Sequence, residues 1–328
     1  ISEEVVIGVD LGGSAVRAGV VTRAGRLRHF KQIRIPEGRK KDLVLACITG
    51  GVRELIALEA KKGNKVISVG VGSPGIIKRD KGVVVTSPNF PGWSNVPLKS
   101  LIGKAVHLPL SLDNDANAAA FGEKWRGAGR KVNSLICLTM GTGIGGGIIL
   151  DGNLWHGAHG MGGEIGHMTI DPDGPRCSCG NYGCLEAYSS ATGMVRGVAE
   201  AIKEGKRTIL KKLSNGDDQQ ITAKMIYEAA TQGDRLSIAI LKEAGSSLGI
   251  AIISLINILN PDMIVLTGAV TGAWDFFMPA AYEEIEKRAY SSIMNRTKIV
   301  RGKLPESAGV VGAAGLAWRQ MGGLPLMT

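Results

Sequence analysis

Two stretches of this chain share one layout. "VVIGVDLGGSAVRAGVV" (Val5–Val21) is an apolar, β-branched run, a glycine turn and a second apolar run, followed by the hairpin "RAGR". "LICLTMGTGIGGGIIL" (Leu135–Leu150) repeats that order and is followed by the turn "DGNL". The offset is about 130 residues, which marks two similarly built halves. Each half therefore opens with a meander of antiparallel strands. Strands alternating with helices come next: "VISVGVGS" and "LPLSLDN" in the first half, "MIVLTGAV" and "TKIVRGKL" in the second. That order predicts an α/β protein with two mixed sheets. A length of 328 residues also exceeds what one compact core usually covers.

Helices are predicted from Asp42, a good N-cap, through "LVLACITGGVRELIALEAKK", and over the alanine-rich run after Asp115. Helices dominate from Ala187 to Asn260. The longest is "DRLSIAILKEAGSSLGIAIISLINILN", stopped by Pro261. A final helix is expected over "AGVVGAAGLAWRQM".

Composition narrows the function. The longest apolar run, Gly249–Leu259, is too short to span a bilayer and contains Asn257. The first residues lack a basic leader and a cleavage site, so a cytoplasmic protein is expected. Net charge is +10, with basic clusters at Arg23–Arg34, Gly38–Lys41 and Lys61–Lys65. Charge alone does not make a nucleic-acid binder. No helix-turn-helix precedes the first strand, no paired zinc fingers occur, and aromatics for base stacking are only 5% of residues. A solvated basic face accounts for the clusters, and a phosphate-rich small substrate is the more economical partner.

Three strands run into glycine turns: "DLGGS" (Asp10–Ser14), "GTGIGGG" (Gly141–Gly147) and "TGAV" (Thr267–Val270). Glycine lets backbone N–H groups approach a phosphate without a Cβ in the way. Single turns of this kind also serve bulges and hairpins. Three at strand ends point to phosphate cradles, built on Gly12, Gly13, Gly141, Thr142, Gly143, Gly268 and Ala269. Ser14 adds a hydroxyl donor, and Asp10 can orient a Mg²⁺ and its waters. "GTGIGGG" lacks the Lys-Ser/Thr ending of a P-loop and continues as a strand, which excludes a dinucleotide fingerprint.

"EIGHMTIDPDGPRCSCGNYGCLE" (Glu164–Glu186) holds three of five cysteines. A disulfide would leave one thiol over in a chain that reads as cytosolic. A redox pair would more usually be C-x-x-C. A metal fits best: Cys177, Cys179, Cys184 and His167 make a Cys3His set, the donor type of structural zinc. Cys47 and Cys137 read as core. His29, His107, His156 and His159 have no motif partner.

Asp113, Asn114 and Asp115 stand at a strand-to-helix junction, "LDNDANAAA". Helix capping accounts for such residues on its own. A carboxylate placed there can also accept a proton from a substrate hydroxyl.

"DLGGSAVRAGVV", "LDNDANAAAFGE", "GTGIGGGIIL", "GGEIGHM" and "CSCGNYGCLE", in this order, resemble the ROK family of bacterial sugar kinases and sugar-responsive repressors. The resemblance runs from about Val5 to Trp318, and "CSCGNYGCLE" is its most specific element. It implies two actin-like (ribonuclease H-like) domains with mixed sheets and an active-site cleft between them. It implies Mg-ATP as phosphate donor, a sugar 6-hydroxyl as acceptor, and Asp115 as general base. Sugar contacts are implied at Gly75, Asn89, Asn114, Asp115, Glu164, His167 and Glu186. The expected domains are residues 1–117 with 307–328, and residues 118–306 carrying the zinc segment.

Two departures stand out: "GGSA" replaces Gly-Gly-Thr and a polar residue, and "TGAV" replaces a more glycine-rich turn. The repressor branch carries an N-terminal DNA-binding domain. This chain opens at the phosphate hairpin, which favours the kinase branch and glucose as leading substrate. The alternatives are another hexose or N-acetylhexosamine, polyphosphate as donor, or a non-catalytic sugar sensor. A dimer or tetramer is expected from the resemblance.

Overall fold

The computed structural model describes residues 2–289, 296–304 and 306–324. In chain order the elements are β1 (Glu4–Leu11), β2 (Ala15–Thr22), β3 (Leu27–Arg34), α1 (Lys41–Lys61), β4 (Lys65–Ser73), β5 (Ile76–Lys78), β6 (Val83–Thr86), β7 (Ser94–Val96), α2 (Leu98–Val106), β8 (Leu110–Asn114) and α3 (Asp115–Arg126). They continue with β9 (Leu135–Met140), β10 (Ile144–Leu150), β11 (Asn153–Trp155), α4 (Glu186–Ser189), α5 (Ala191–Lys203), α6 (Leu210–Leu213), α7 (Ala223–Thr231), α8 (Arg235–Leu259), β12 (Met263–Thr267), α9 (Trp274–Arg288), β13 (Lys298–Arg301) and α10 (Ala308–Gln320). Two compact units form. One comprises Ile1–Cys137, Gly146–Gly163 and Gly302–Thr328; the other comprises Leu138–Gly145 and Glu164–Arg301.

The duplication is visible in the sheets. One five-stranded sheet has the order β3-β2-β1-β4-β8, the other β11-β10-β9-β12-β13. Renumbered within each half, both read 3-2-1-4-5, the order of a ribonuclease H-like sheet. In the first, β1 pairs antiparallel with β2 and parallel with β4, and β4 pairs parallel with β8. The fold is therefore α/β with two actin-like halves.

In the first unit the central strand β1 is covered on both faces, so it reads as a continuous apolar run. Val5, Ile7 and Val9 pack with Val44, Ile48, Val52 and Leu55 of α1 and with Leu98 and Ile102 of α2. Val6, on the other face, joins Phe121 and Trp125 of α3 and Val311, Ala314 and Trp318 of α10. The boundary expected at residue 117 falls inside α3. α3 and α10 approach so closely that a Cβ at Gly312 would lie 1.6 Å from the Ala118 carbonyl oxygen. The basic run Arg23–Arg34 lies mostly on β3, an edge strand, where charged side chains discourage further strand pairing.

Glu123 of α3 has no solvent exposure. Its carboxylate accepts backbone N–H groups from Ala128 at 2.8 Å, Lys303 at 3.1 Å and Leu304 at 2.8 Å. It thereby ties α3 to the chain entering α10.

Residues 76–96 hold a small third sheet, β5-β6-β7, that the sequence pattern does not reveal. Strands of three or four residues are too short to show a period. The sheet carries the loop of Asn89, whose Phe90 and Trp93 rings stack at 4.7 Å and are buried.

In the second unit α8 is capped at both ends. The Asp234 carboxylate accepts from Ser237 N–H at 2.9 Å, and Asn260 closes the helix in the left-handed region at φ 42°. This helix is long and apolar enough to cross a bilayer by length and composition. Ile240, Leu241, Leu248, Ile252 and Ile256 are buried along it, and it packs on α9, which identifies it as a core helix.

Replacing Glu123 by Ala leaves three inward-facing N–H groups without an acceptor. The unfolding free energy should drop by about 3–5 kcal/mol. Urea denaturation reads this as a lowered midpoint; an unchanged midpoint would show the contact to be incidental.

Candidate functional site

In the first unit, β1 delivers Asp10 to the opening of the first glycine turn. Asp10 faces Arg17 across the β1–β2 ladder, with Oδ2 at 3.2 Å from Nη1. Burial pushes its carboxyl up, and the Arg17 charge and hydrogen bond pull it back. A side chain at Gly309, in the first turn of α10, would run into the Asp10 carboxylate. The turn closes through Gly12 N–H to the Ala15 carbonyl at 3.0 Å. The Asn89 amide lies against Gly13. Arg39 donates to the Asn89 carbonyl at 2.9 Å and fixes that loop. The structure thus brings the first glycine turn and the Asn89 loop together within this unit.

The β8–α3 junction is a helix cap. Asn114 Oδ1 accepts from Ala116 N–H at 2.8 Å and Asn117 N–H at 3.3 Å, as a good N-cap does. Its amide Nδ2 donates to the Gly75 carbonyl at 3.3 Å, so two expected sugar-binding positions touch. Asp115 is the first residue of the helix, and its Oδ1 accepts from Ala116 N–H at 2.9 Å.

The sequence offers Asp113 only as part of this polar run and gives His156 no motif partner. The fold supplies one: His156 Nε2 lies 3.0 Å from Asp113 Oδ2. Arg79 Nε reaches the same oxygen at 3.2 Å. His29 has a partner too, the buried Glu59 carboxylate at 3.2 Å. These pairs join segments far apart in the chain, and no local spacing signals them.

In the second unit, the turn Gly141–Ile144 is braced by the residues at the starts of α4 and α5. Glu186 Oε2 accepts Ile144 N–H at 2.8 Å. Ala191 N–H donates to the Gly141 carbonyl at 2.9 Å, and the Thr192 hydroxyl to the Thr142 carbonyl at 2.7 Å. Gly143 must lack a side chain, because its Cβ would lie 2.3 Å from Glu186 Oε2. The N–H groups of Thr142 and Gly143 take no hydrogen bond among the described residues. Two adjacent amides without a partner are what an anion-binding turn requires. Gly268, at φ 98°, ends β12, and Ala269 begins a short 3₁₀ helix, Ala269–Ala273.

The Glu164–Glu186 segment gathers its donors. One ligand atom from each of His167, Cys177, Cys179 and Cys184 lies within 4.8 Å of all the others. Cys179 and Cys184 sulfurs are 3.7 Å apart, and Cys177 Sγ is 3.7 Å from His167 Nδ1. Tetrahedral zinc with bonds of about 2.3 Å to sulfur and 2.0 Å to nitrogen needs edges of roughly 3.8 and 3.6 Å. The donor set therefore fits a tetrahedral ion. Cys177 N–H bonds the Asn181 carbonyl at 2.7 Å, and Gly180, at φ 95°, makes the turn between them.

The metal loop also reaches the glycine turn. The Ser178 hydroxyl donates to Glu186 Oε1 at 3.2 Å, while Oε2 of the same carboxylate holds Ile144. Glu164 precedes the short helical turn Ile165–His167 and is exposed; its carbonyl accepts His167 N–H at 3.1 Å. A pocket of about 600 Å³, lined by Asp171, Tyr188, Arg196, Glu200 and Glu243 among others, contains none of the expected site residues.

Asn114→Ala should lower stability by about 1 kcal/mol through loss of the cap, with Asn114→Asp costing less because it keeps the acceptor oxygen. Denaturant titration of the three proteins checks this; equal stability would show that the cap is not engaged.

Comparison with known proteins places these features in a family. A model described as "ROK family" matches residues 6–320. A glucokinase of Thermotoga maritima is 38% identical over 97% of this chain and 98% of its own. A xylose repressor of Caldicellulosiruptor bescii is 32% identical over 98% of this chain and 79% of its own. The crystal structure of a Streptomyces griseus ROK glucokinase in complex with glucose and AMPPNP superimposes with a TM-score of 0.80 at 32% identity, covering 96% of this chain and 99% of that one. A strand order shared by both halves, a Cys3His segment and a match over nearly the whole length lead to one assignment: the chain belongs to the ROK family.

Proposed function

We propose that this chain is a glucokinase, which moves the γ-phosphoryl group of Mg-ATP to the 6-hydroxyl of glucose. The observation that carries the reading is its full-length likeness to a glucokinase structure that holds glucose and an ATP analogue together. Phosphoryl transfer to an alcohol needs a positioned hydroxyl, a proton acceptor and donors around the phosphates. Asp115 is the acceptor. Gly75, Asn89, Asn114, Glu164, His167 and Glu186 are the residues proposed for sugar hydroxyls. Asp10, Gly12, Gly13 and Ser14 serve the nucleotide phosphates, as do Gly141, Thr142 and Gly143; Gly268 and Ala269 complete the nucleotide contacts. The bare amides of Thr142 and Gly143 support this assignment.

His167, Cys177, Cys179 and Cys184 hold a structural zinc. The ion's role is to fix the loop, because a Cys3His set leaves no position open for substrate. His167 Nδ1 is the nitrogen 3.7 Å from Cys177 Sγ; with it as the metal donor, Nε2 would be left to face a hydroxyl.

The likeness to a xylose repressor supports a second reading, a sugar-binding regulator without turnover. Asp115→Asn separates the two. A kinase should lose about two orders of magnitude or more in kcat, the usual worth of a general base, while glucose still binds within a few-fold. Turnover near wild type would remove Asp115 from the mechanism.

Purified protein should carry one zinc per chain by elemental analysis. Cys179→Ser should lose it and loosen the segment from His167 to Glu186. Since Glu186 bridges the metal loop to the glycine turn, affinity for ATP should weaken along with affinity for glucose. A zinc-free variant that binds both ligands normally would refute the link.

A further inference from the structure

Asp113 is a buried carboxylate, 6% exposed, one residue before the cap and two before Asp115. It takes three hydrogen bonds and one ion pair. Oδ1 accepts Asn114 N–H at 2.8 Å and the Asn117 amide at 3.1 Å. Oδ2 accepts from His156 Nε2 at 3.0 Å and pairs with the Arg79 guanidinium, whose Nε is 3.2 Å away. Two of these contacts belong to the junction itself. The other two come from Arg79, just beyond β5, and His156, just beyond β11. None of the four is needed to fold β8, whose ladder with β4 is already complete through Ser73 and Asn114.

We propose that Asp113 and His156, assisted by Arg79, are positioning residues for Asp115. They fix the turn where β8 becomes α3 and so fix the direction in which the proposed base points. This rests on the reading of Asp115 as base. The physical case is one of leverage. A side chain at the first position of a helix inherits the backbone geometry of the residue before it, and a displacement of about 1 Å at a reacting group is worth roughly a hundredfold in rate. Asn114 is held at its side chain by Gly75 and the helix amides, and at its N–H by Asp113. Removing His156 leaves Asp113 with the half-exposed Arg79 as its only cationic partner outside the junction among the described residues.

The segment carrying His156 is tied back on itself. Gly162 N–H bonds the His156 carbonyl at 2.8 Å, and the Trp155 ring lies so close that a Cβ at Gly162 would be 2.5 Å from it. His156 is itself 14% exposed at its side chain.

The test compares wild type, His156→Ala, His156→Gln and Asp115→Asn in steady-state glucose phosphorylation and in amide hydrogen exchange over residues 113–118. Gln offers an N–H donor at about the reach of histidine Nε2. His156→Ala should lower kcat about tenfold, with KM for ATP within about twofold of wild type, and should speed exchange of the Asn114 and Asn117 amides by about tenfold or more. His156→Gln should recover most of both. An alanine variant with wild-type kcat and exchange overturns the proposal. So does a glutamine variant as impaired as alanine, because loss of packing rather than loss of the donor would then be the cause. A wild type that does not phosphorylate sugar overturns the kinase reading instead, and the exchange data alone then decide whether His156 fixes the junction.

Discussion

A glycine turn that offers its N–H groups to a phosphate cannot use them to hold its own shape. In this protein the shape comes from one backbone bond inside the turn, Gly141 N–H to the Gly143 carbonyl at 2.9 Å, and from groups at the starts of α4 and α5 that bind the rest of its backbone. Glu186 takes Ile144 N–H, while Ala191 and Thr192 take the carbonyls of Gly141 and Thr142. Only the amides of Thr142 and Gly143 are left over among the described residues. Glu186 is also the residue through which the Cys3His loop bears on the turn, by way of Ser178. A metal held by this loop would stiffen the carboxylate, and the carboxylate braces the turn.

The two halves solve the same problem differently. They share a strand order, and each places a glycine turn between its first two strands. In the first half the turn is shaped by its own backbone bond from Gly12 to Ala15 and by Asn89 packed on Gly13. Its carboxylate, Asp10, faces Arg17 and the start of α10 rather than the turn's amides. The first half also invests in fixing its β8–α3 junction, where Asn114 caps the helix and Asp113 collects donors from two distant segments. A buried carboxylate that takes donors at both oxygens has little freedom left.

Much of this was legible in the sequence for a local reason. The duplicated meander, the helix stop at Pro261 and the donor spacing of Cys177, Cys179 and Cys184 are patterns within a few residues, and short patterns carry strong physical preferences. The β5-β6-β7 sheet was not legible, because its strands are shorter than any period. Asp113–His156, Arg79–Asp113 and His29–Glu59 were not legible either. Each depends on tertiary placement of residues tens of positions apart, and a histidine in a glycine-rich loop looks the same in sequence whether or not a carboxylate waits for it. Glu186 was expected to contact the sugar; its bond to Ile144 appears only once α4 is packed beneath the turn. The basic run Arg23–Arg34 shows the converse, since a charge cluster that invites a functional reading lies mostly on an edge strand.

The central claim is that this chain transfers phosphate to glucose and does not merely bind it. The most direct measurement is ³¹P NMR of the wild-type protein incubated with glucose and Mg-ATP. The account predicts loss of the γ-phosphate resonance and a new phosphomonoester signal coupled to the C6 protons of the sugar. Glucose bound at equilibrium, with the ATP spectrum unchanged, would contradict it.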